Sequence, residues 1–343
     1  MSSRRTNHGR AACNGLRRLT FVSAALLLLF AATVTPSFSQ TPPRKLIVTA
    51  AGARLREQPE TAAAETGRLQ LGSVVDGLER SAHKSRVGSV EDFWHLVSAP
   101  GGARGWVFGG LVAPFDPARR DAVYLKLAGE RLAQSAATFA DLSELVRFLD
   151  RATREVTQRN TLAELELARL DALARSLAAV PFEQLNNQPF KSWTDERAKE
   201  IVYSEPAGQW YVNSNVFWNL QSKYSPLPVA ERIAWAASQT PLPGECEGYL
   251  PCYVYKQTET NGRYLKLYPR GAHADAALSN LAESLGQITE SLRGADSPFE
   301  VPREDRPNFR RSVAALRAQL ALVPAPKKAR VLARLDEIAR RFP

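Results

Sequence analysis

The sequence predicts an α+β multidomain protein, a small β-barrel followed by a mainly α-helical domain. Three observations carry that expectation. Residues 45–115 alternate short apolar and polar runs between glycines and prolines, the texture of half-buried strands. After Phe115 the apolar residues recur three and four apart, the spacing of amphipathic helices. Beyond the first forty residues no apolar run approaches the roughly 20 residues that cross a bilayer, so the remainder must fold by packing its elements on one another.

The chain opens with Arg4, Arg5, Arg10, Arg17 and Arg18, then the uncharged run LTFVSAALLLLFAATVTPSFS, ending in small residues. That order of charged, apolar and small segments is the pattern of a secretory leader. Ser37 and Ser39 suit a cleavage site that leaves Gln40 first, with a retained anchor as the alternative. Cys13 precedes the apolar run, so it is not placed as a lipoprotein cysteine. The expected location is therefore periplasmic or otherwise extracytoplasmic. The net charge of +10 falls to +5 once the five leader arginines are set aside. Residues 303–343 alone hold eleven Lys/Arg against four Asp/Glu, so the middle of the chain is slightly acidic. A basic tail on an exported chain suits a solvated helix face, or peripheral contact with anionic membrane or wall polymer, better than nucleic acid.

Within 45–115, KLIVTA and ARLRE read as strands, QPET as a turn, and GRLQLGSVVDGLE as a further alternating stretch. FWHLVSAPGGARGWVFGGLVAPF then supplies a strand, a Pro-Gly-Gly turn, another strand and a closing segment. Five strands in so short a span favour closure, which removes exposed sheet edges. GGARGWVFGG is not a dinucleotide loop, because a strand follows it where a helix would have to start. The polar stretch 81–92 reads as an insert forming a mobile hairpin tip.

The order Leu55-Arg56…Pro59, Gly67…Leu71-Gly72…Val74, Trp94…Val97 and Gly105-Trp106-Val107…Leu111 resembles the bacterial SH3 domain, SH3b. The resemblance implies an SH3-like β-barrel over residues 40–115 and a role in binding cell-wall peptide or other proteins. Trp94, Trp106 and Phe108 are then the aromatic candidates for the ligand surface. The competing reading is that strand alternation turns some of them into the core. The insert at 81–92 departs from the family pattern and puts any inherited groove in doubt.

Asp116-Pro117 reads as an N-cap followed by proline in the first helical turn. Val123, Leu127 and Leu132 mark a first helix, and Leu142, Leu145, Val146 and Leu149 a second over about 139–159. Thr161…Glu164 reads as a capping box opening a third, so residues 116–180 form helical hairpins. Residues 181–300 are an aromatic-rich helical region: a helix starts at Thr194, and Trp210, Tyr211, Phe217, Trp218 and Tyr224 cluster as a core or, alternatively, as a stacking cleft. Tyr264…Tyr268-Pro269-Arg270-Gly271, followed by Ala274, Ala276 and Ala277, is similar to the helix–turn–helix junction of tetratricopeptide-like repeats, in a single copy over about 250–290. Phe309, Val313, Leu316, Leu320 and Val331, Leu335, Ile338, Phe342 give two basic amphipathic helices over 301–343.

Little in the chain points to catalysis. His83, His95 and His273 are isolated, and HExxH, Cys-x-x-Cys, P-loop and GxSxG motifs are missing, so no catalytic residue, metal or cofactor is expected. Cys246 and Cys252, in an oxidising compartment, are expected to form a disulfide. A straight helix would hold them about 9 Å apart along its axis, farther than a bridge tolerates; Gly248 and Pro251 permit the bend it needs. The expected function is a non-catalytic binding or scaffolding protein of the cell envelope, with peptidoglycan or envelope proteins as partners. The alternatives are a cell-wall peptidase, using Cys246 or Cys252 with His273, and a structural subunit of an envelope complex. Glu200 and Glu205 as a glycosidase pair have only spacing to recommend them.

Overall fold

The computed structural model describes residues 44–343, which belong to one compact unit, so the expected leader and cleavage site lie outside the described residues. The chain is mixed α+β in the expected order, a curled sheet followed by helices. Seven strands stand where five were expected: β1 (Arg44–Val48), β2 (Ala53–Arg56), β3 (Glu65–Leu69), β4 (Val74–Val87), β5 (Val90–Ser98), β6 (Arg104–Phe108) and β7 (Val112–Pro114). They form one antiparallel sheet in the order β3-β2-β6-β5-β4-β1-β7, curled into a half-barrel with β3 and β7 as its edges. Leu46, Val48, Leu55, Val75, Val97 and Val107 fill its concave face.

The segment 81–92 forms the expected hairpin tip. It continues β4 and β5 as a two-stranded ribbon, with Lys84 opposite Phe93 and Arg86 opposite Glu91, turning at Gly88 in the left-handed region. The register shifts between Arg80 and Lys84, a bulge that lets the ribbon bend away from the sheet.

β1 is apolar on both faces because both are covered. Leu46 and Val48 point into the sheet's own core, while Ile47 joins Leu71 and Phe115 in the core of the helical part. Asp116 caps a short 3₁₀ turn by accepting from the Ala118 amide at 2.9 Å, and this leads into α1 (Arg120–Leu132). α2 (Phe139–Glu155) and α3 (Arg159–Ala178) follow as an antiparallel pair.

Glu144 on α2 accepts from the backbone amides of Leu71 at 2.6 Å and Gly52 at 2.9 Å, and Arg151 donates to the Leu71 carbonyl at 2.6 Å. Gly72, at φ +75°, lets Phe148 approach so closely that a Cβ there would lie 2.0 Å from its ring. The sheet is thereby locked onto α2.

Two expectations in the helical part are corrected. Thr161 is buried inside α3, which starts at Arg159 without a side-chain cap; the capping box is Thr138–Asp141, at the start of α2. The helix expected from Thr194 is α4 (Phe190–Glu196), and Ile201–Ser204 and Gln209–Val212 form a hairpin, β8 and β9, in a region read as all-helical. The β-branched IVYS run and Gly208, at φ +61° in the turn, favour strand there.

Then come α5 (Ser214–Lys223), α6 (Val229–Gln239), α7 (Leu250–Gln257), a π-helical turn over Thr258–Gly262, α8 (Arg263–Leu267), α9 (Ala274–Arg293), α10 (Arg306–Gln319) and α11 (Ala325–Arg341). The π turn falls where Gly262 meets α10: a Cβ there would lie 2.2 Å from Gln319 Oε1 and 2.7 Å from Leu316. Phe217, Trp218 and Tyr224 are buried in the core, whereas Trp210 and Tyr211 on β9 are half-buried. The apolar faces of α10 and α11 are consumed by packing, α10 against α7 and α11 along α9. No helix among the described residues is long and apolar enough to cross a membrane.

Candidate functional site

The aromatic trio proposed from sequence does not form a binding face. Trp94 and Phe108 stand opposite one another on β5 and β6, packed edge to face at 5.5 Å, with 3 % and 4 % of their surfaces exposed. Rings so covered have no face to offer a ligand. Trp106, half-buried on β6, is the member of the trio that retains accessible surface.

Cys246 and Cys252 are joined, with Cα atoms 5.4 Å apart. Glu247 and Gly248 take left-handed conformations between them, and a Cβ at Gly248 would lie 2.1 Å from the Pro298 carbonyl. The bridge holds the start of α7, as the bend argument expects. A closed bridge leaves neither sulfur as a thiolate nucleophile, and the His273 ring lies flat on Trp235 at 4.6 Å. The Cys–His peptidase reading therefore loses its nucleophile in this state. Glu200 is also engaged: Arg169 donates to it at 2.7 Å and Arg197 stands 3.8 Å away, both within a part-buried ion network that includes Asp150. Burial alone would raise the Asp150 carboxyl, but hydrogen bonds from Arg197 and Arg169 outweigh it and hold the group below its usual range. That network ties α2 and α3 to the segment before β8; Glu205 lies outside it, exposed in the β8–β9 turn. Among the described residues no three His, Cys, Asp or Glu side chains gather as a metal site would require.

The geometry gathers charge elsewhere, in a cleft of about 690 Å³ where the sheet meets α1 and α2. Its walls carry Lys45 from β1, Arg68 from β3, Arg120 from α1 and Arg151 from α2, against one carboxylate, Glu155. The β3–β4 loop, with Gln70 and Ser73, forms the floor, and the turn at Ala99–Pro100 forms a rim. Across the Arg68–Gln70 segment a second hollow of about 410 Å³ shares Arg68 and Arg151 and adds Arg147 and Phe139.

The cations differ in how free they are. Lys45 reaches Asp76 at 2.6 Å, Arg68 pairs with Glu65 at 2.7 Å, and Arg151 is occupied by Leu71. Arg120 is the least committed: its Nε is buried without a hydrogen-bond partner and lies 3.7 Å from Glu155. Burial, reinforced by its hydrogen bond to Glu155 at 2.7 Å, pushes the Tyr124 hydroxyl well above its ordinary range, so it stays a neutral donor. A buried donor without an acceptor is costly unless a ligand or water completes it. The cleft thus concentrates positive charge around a single carboxylate, Glu155, with Arg120 held to it only by a 3.7 Å ion pair.

Sequence reasoning missed this cleft because its residues come from four elements and share no motif. The Asp116-Pro117 cap did mark where α1 meets the sheet; the convergence of Arg68, Arg120 and Arg151 has no local signature. The chain matches no protein-family model, and no curated protein matches it, so a functional reading has to come from this geometry.

Proposed function

We propose that the protein is a non-catalytic binding protein of the cell envelope that holds a carboxylate-bearing peptide, such as a peptidoglycan stem peptide, in the cleft between its sheet and its first helices. The observation that carries the reading is the cationic lining, in which Lys45, Arg68, Arg120 and Arg151 face one carboxylate, Glu155. The SH3b-like motif order and the leader pattern agree with it, because each points to an exported module for wall peptide. A protein-scaffold role draws support from a different feature, the groove of about 960 Å³ between α9 and α11, whose walls carry charges of both signs.

Co-sedimentation with purified peptidoglycan tests the first reading. Arg68 is exposed and Arg120 half-buried at the cleft, so Arg68→Glu with Arg120→Glu should weaken binding about tenfold or more, since each reverses a charge at the ligand. Undiminished binding, or no binding by the unaltered chain, would overturn the peptidoglycan assignment; an envelope protein co-purifying without wall binding would favour the scaffold.

A further inference from the structure

The C-terminal helices place unpaired arginines together in a way that helix stability does not explain. α10 and α11 run antiparallel, so the start of one lies beside the end of the other: the Phe309 and Phe342 rings pack at 5.9 Å, and Arg306 donates to the Pro343 carbonyl at 3.3 Å. That end of the pair carries Arg303, Arg306, Arg310, Arg311, Arg340 and Arg341, none of which makes an ion pair among the described residues. The nearby acids are Glu304 and Asp305, and Asp305 is engaged by the Tyr249 hydroxyl at 2.9 Å. Farther along the same helices the pattern is different, with Arg317 bonded to Asp336 and Arg293 of α9 to Glu337.

A helix C-terminus favours cations and its N-terminus disfavours them. The dipole therefore accounts for Arg340 and Arg341 in the last turn of α11, but Arg306 in the first turn of α10 and Arg303 just before it stand at the wrong end of that helix. Arg306 Nε is moreover buried without a partner. The cluster costs the free protein self-repulsion, which an external anion would relieve.

We infer that this arginine-bearing end of the α10–α11 pair is a docking surface for an anionic phospholipid bilayer. Guanidinium forks match phosphate oxygens in pairs. The apolar stripes of both helices are already buried, through Phe309, Val313 and Leu316 and through Val331, Leu335 and Ile338, so the contact is electrostatic and nothing inserts. None of the clefts described above opens among these arginines, and the ring of Phe342 is packed on Phe309. An exposed face without a groove or a free stacking ring suits a flat headgroup layer better than a threaded nucleic-acid strand.

Vesicle sedimentation with the chain from residue 40 tests this directly, the described residues 44–343 belonging to one compact unit. Vesicles of mixed phosphatidylglycerol and phosphatidylcholine should bind the protein and pure phosphatidylcholine should not, and the binding should fade as ionic strength rises from about 0.05 to 0.3 M. Arg303, Arg310 and Arg341 are exposed, and replacing all three by Gln should lower partitioning about a hundredfold with an unchanged thermal midpoint. Arg54→Gln with Arg86→Gln, on the sheet, should leave partitioning unaltered. Equal loss in both variants, binding to neutral vesicles, or capture of soluble polyphosphate without capture of vesicles would overturn the proposal. The Arg68→Glu, Arg120→Glu protein should still bind vesicles, so the peptide reading and the membrane reading fail separately.

Discussion

Burial pushes the Asp171 carboxyl on α3 up to about 6, although Arg232 and Arg175 pull it down. Its unfolded value is about 3.9. Between those two values the native state holds the proton more tightly than the unfolded chain does. Stability contributed by the neutral form is therefore complete below about pH 4 and lost as pH rises through about 6. Asp171→Asn removes the ionisation and should raise stability by about 2 kcal/mol at neutral pH, with little gain near pH 4. Thermal midpoints at pH 4 and pH 7.5 check this, and an equal gain at both would show that the charge is not the cause. At the same scale, Gly271 shows how far single residues can be read from sequence. The YPRG turn was visible, but its reason was not: a Cβ at Gly271 would lie 2.4 Å from Glu231 Oε1 and 2.7 Å from the Tyr264 hydroxyl. Glu231 also accepts from that hydroxyl at 2.8 Å and from the Ala272 amide, so the glycine answers to a carboxylate forty residues earlier in the chain. Trp94 and Phe108 stay ambiguous between core and ligand surface in the sequence for a related reason. Alternation says that two faces of a strand differ, and is silent on which face the rest of the chain will cover.

Elements were legible where one periodicity ran unbroken. The leucine faces of α2 and α3 and the apolar stripes of α10 and α11 follow directly from spacing, because burial on one side of a helix demands it. Ends were less legible. Thr161…Glu164 has the capping-box pattern, yet Thr138 and Asp141 make the box, since a cap works only where the backbone leaves the helix. The β8–β9 hairpin was hidden because KSWTDERAKEIV carries a helical pattern into a strand. Cys246 and Cys252 stand at bridging distance across the bend that Gly248 allows, and the surrounding backbone shows what such a bridge holds. Tyr249, inside the loop, pairs with Glu300: the Leu250 amide donates to the Glu300 carbonyl at 3.0 Å, and the Glu300 amide to the Gly248 carbonyl at 3.0 Å. The bridge thus pins both the start of α7 and the segment that leads to α10. Cys246→Ser with Cys252→Ser should cost about 2 kcal/mol, the chain-entropy value for so short a loop. Hydrogen exchange should quicken in α7 and around Glu300 while β5 keeps its protection. Uniform loss of protection across the chain would show that the loop is not a local clamp.

At the scale of the whole molecule, the sheet keeps a small core of its own, and the larger helical core reaches across the boundary near Phe115 to take part of the sheet's other face. Ile47, Leu71 and Phe115 are counted with the helices in one apolar cluster, and Glu144 and Arg151 bind the backbone of the β3–β4 loop from α2. A half-barrel with two open edges gains from such a partner, because helices cover what closure would otherwise hide. The cationic cleft exists for the same reason: Lys45 and Arg68 face Arg120 and Arg151 only while the sheet stays docked. Sheet and helices should therefore lose structure together, and Glu144→Ala is the sharpest probe of that coupling. The substitution removes the acceptor of two amides, at 2.6 and 2.9 Å, and leaving such donors unpaired costs about 1–3 kcal/mol each where water does not replace the carboxylate. Gly52 is exposed, so the Leu71 amide should carry most of the loss, for a total of about 2 kcal/mol. If the unit is cooperative, native-state hydrogen exchange will lose the same free energy in β5 and in α3, and thermal unfolding will remain a single transition shifted downward. If β5 alone loses protection while α3 keeps its own, the sheet is an independent body, and the cleft between sheet and helices is a hinge that can open.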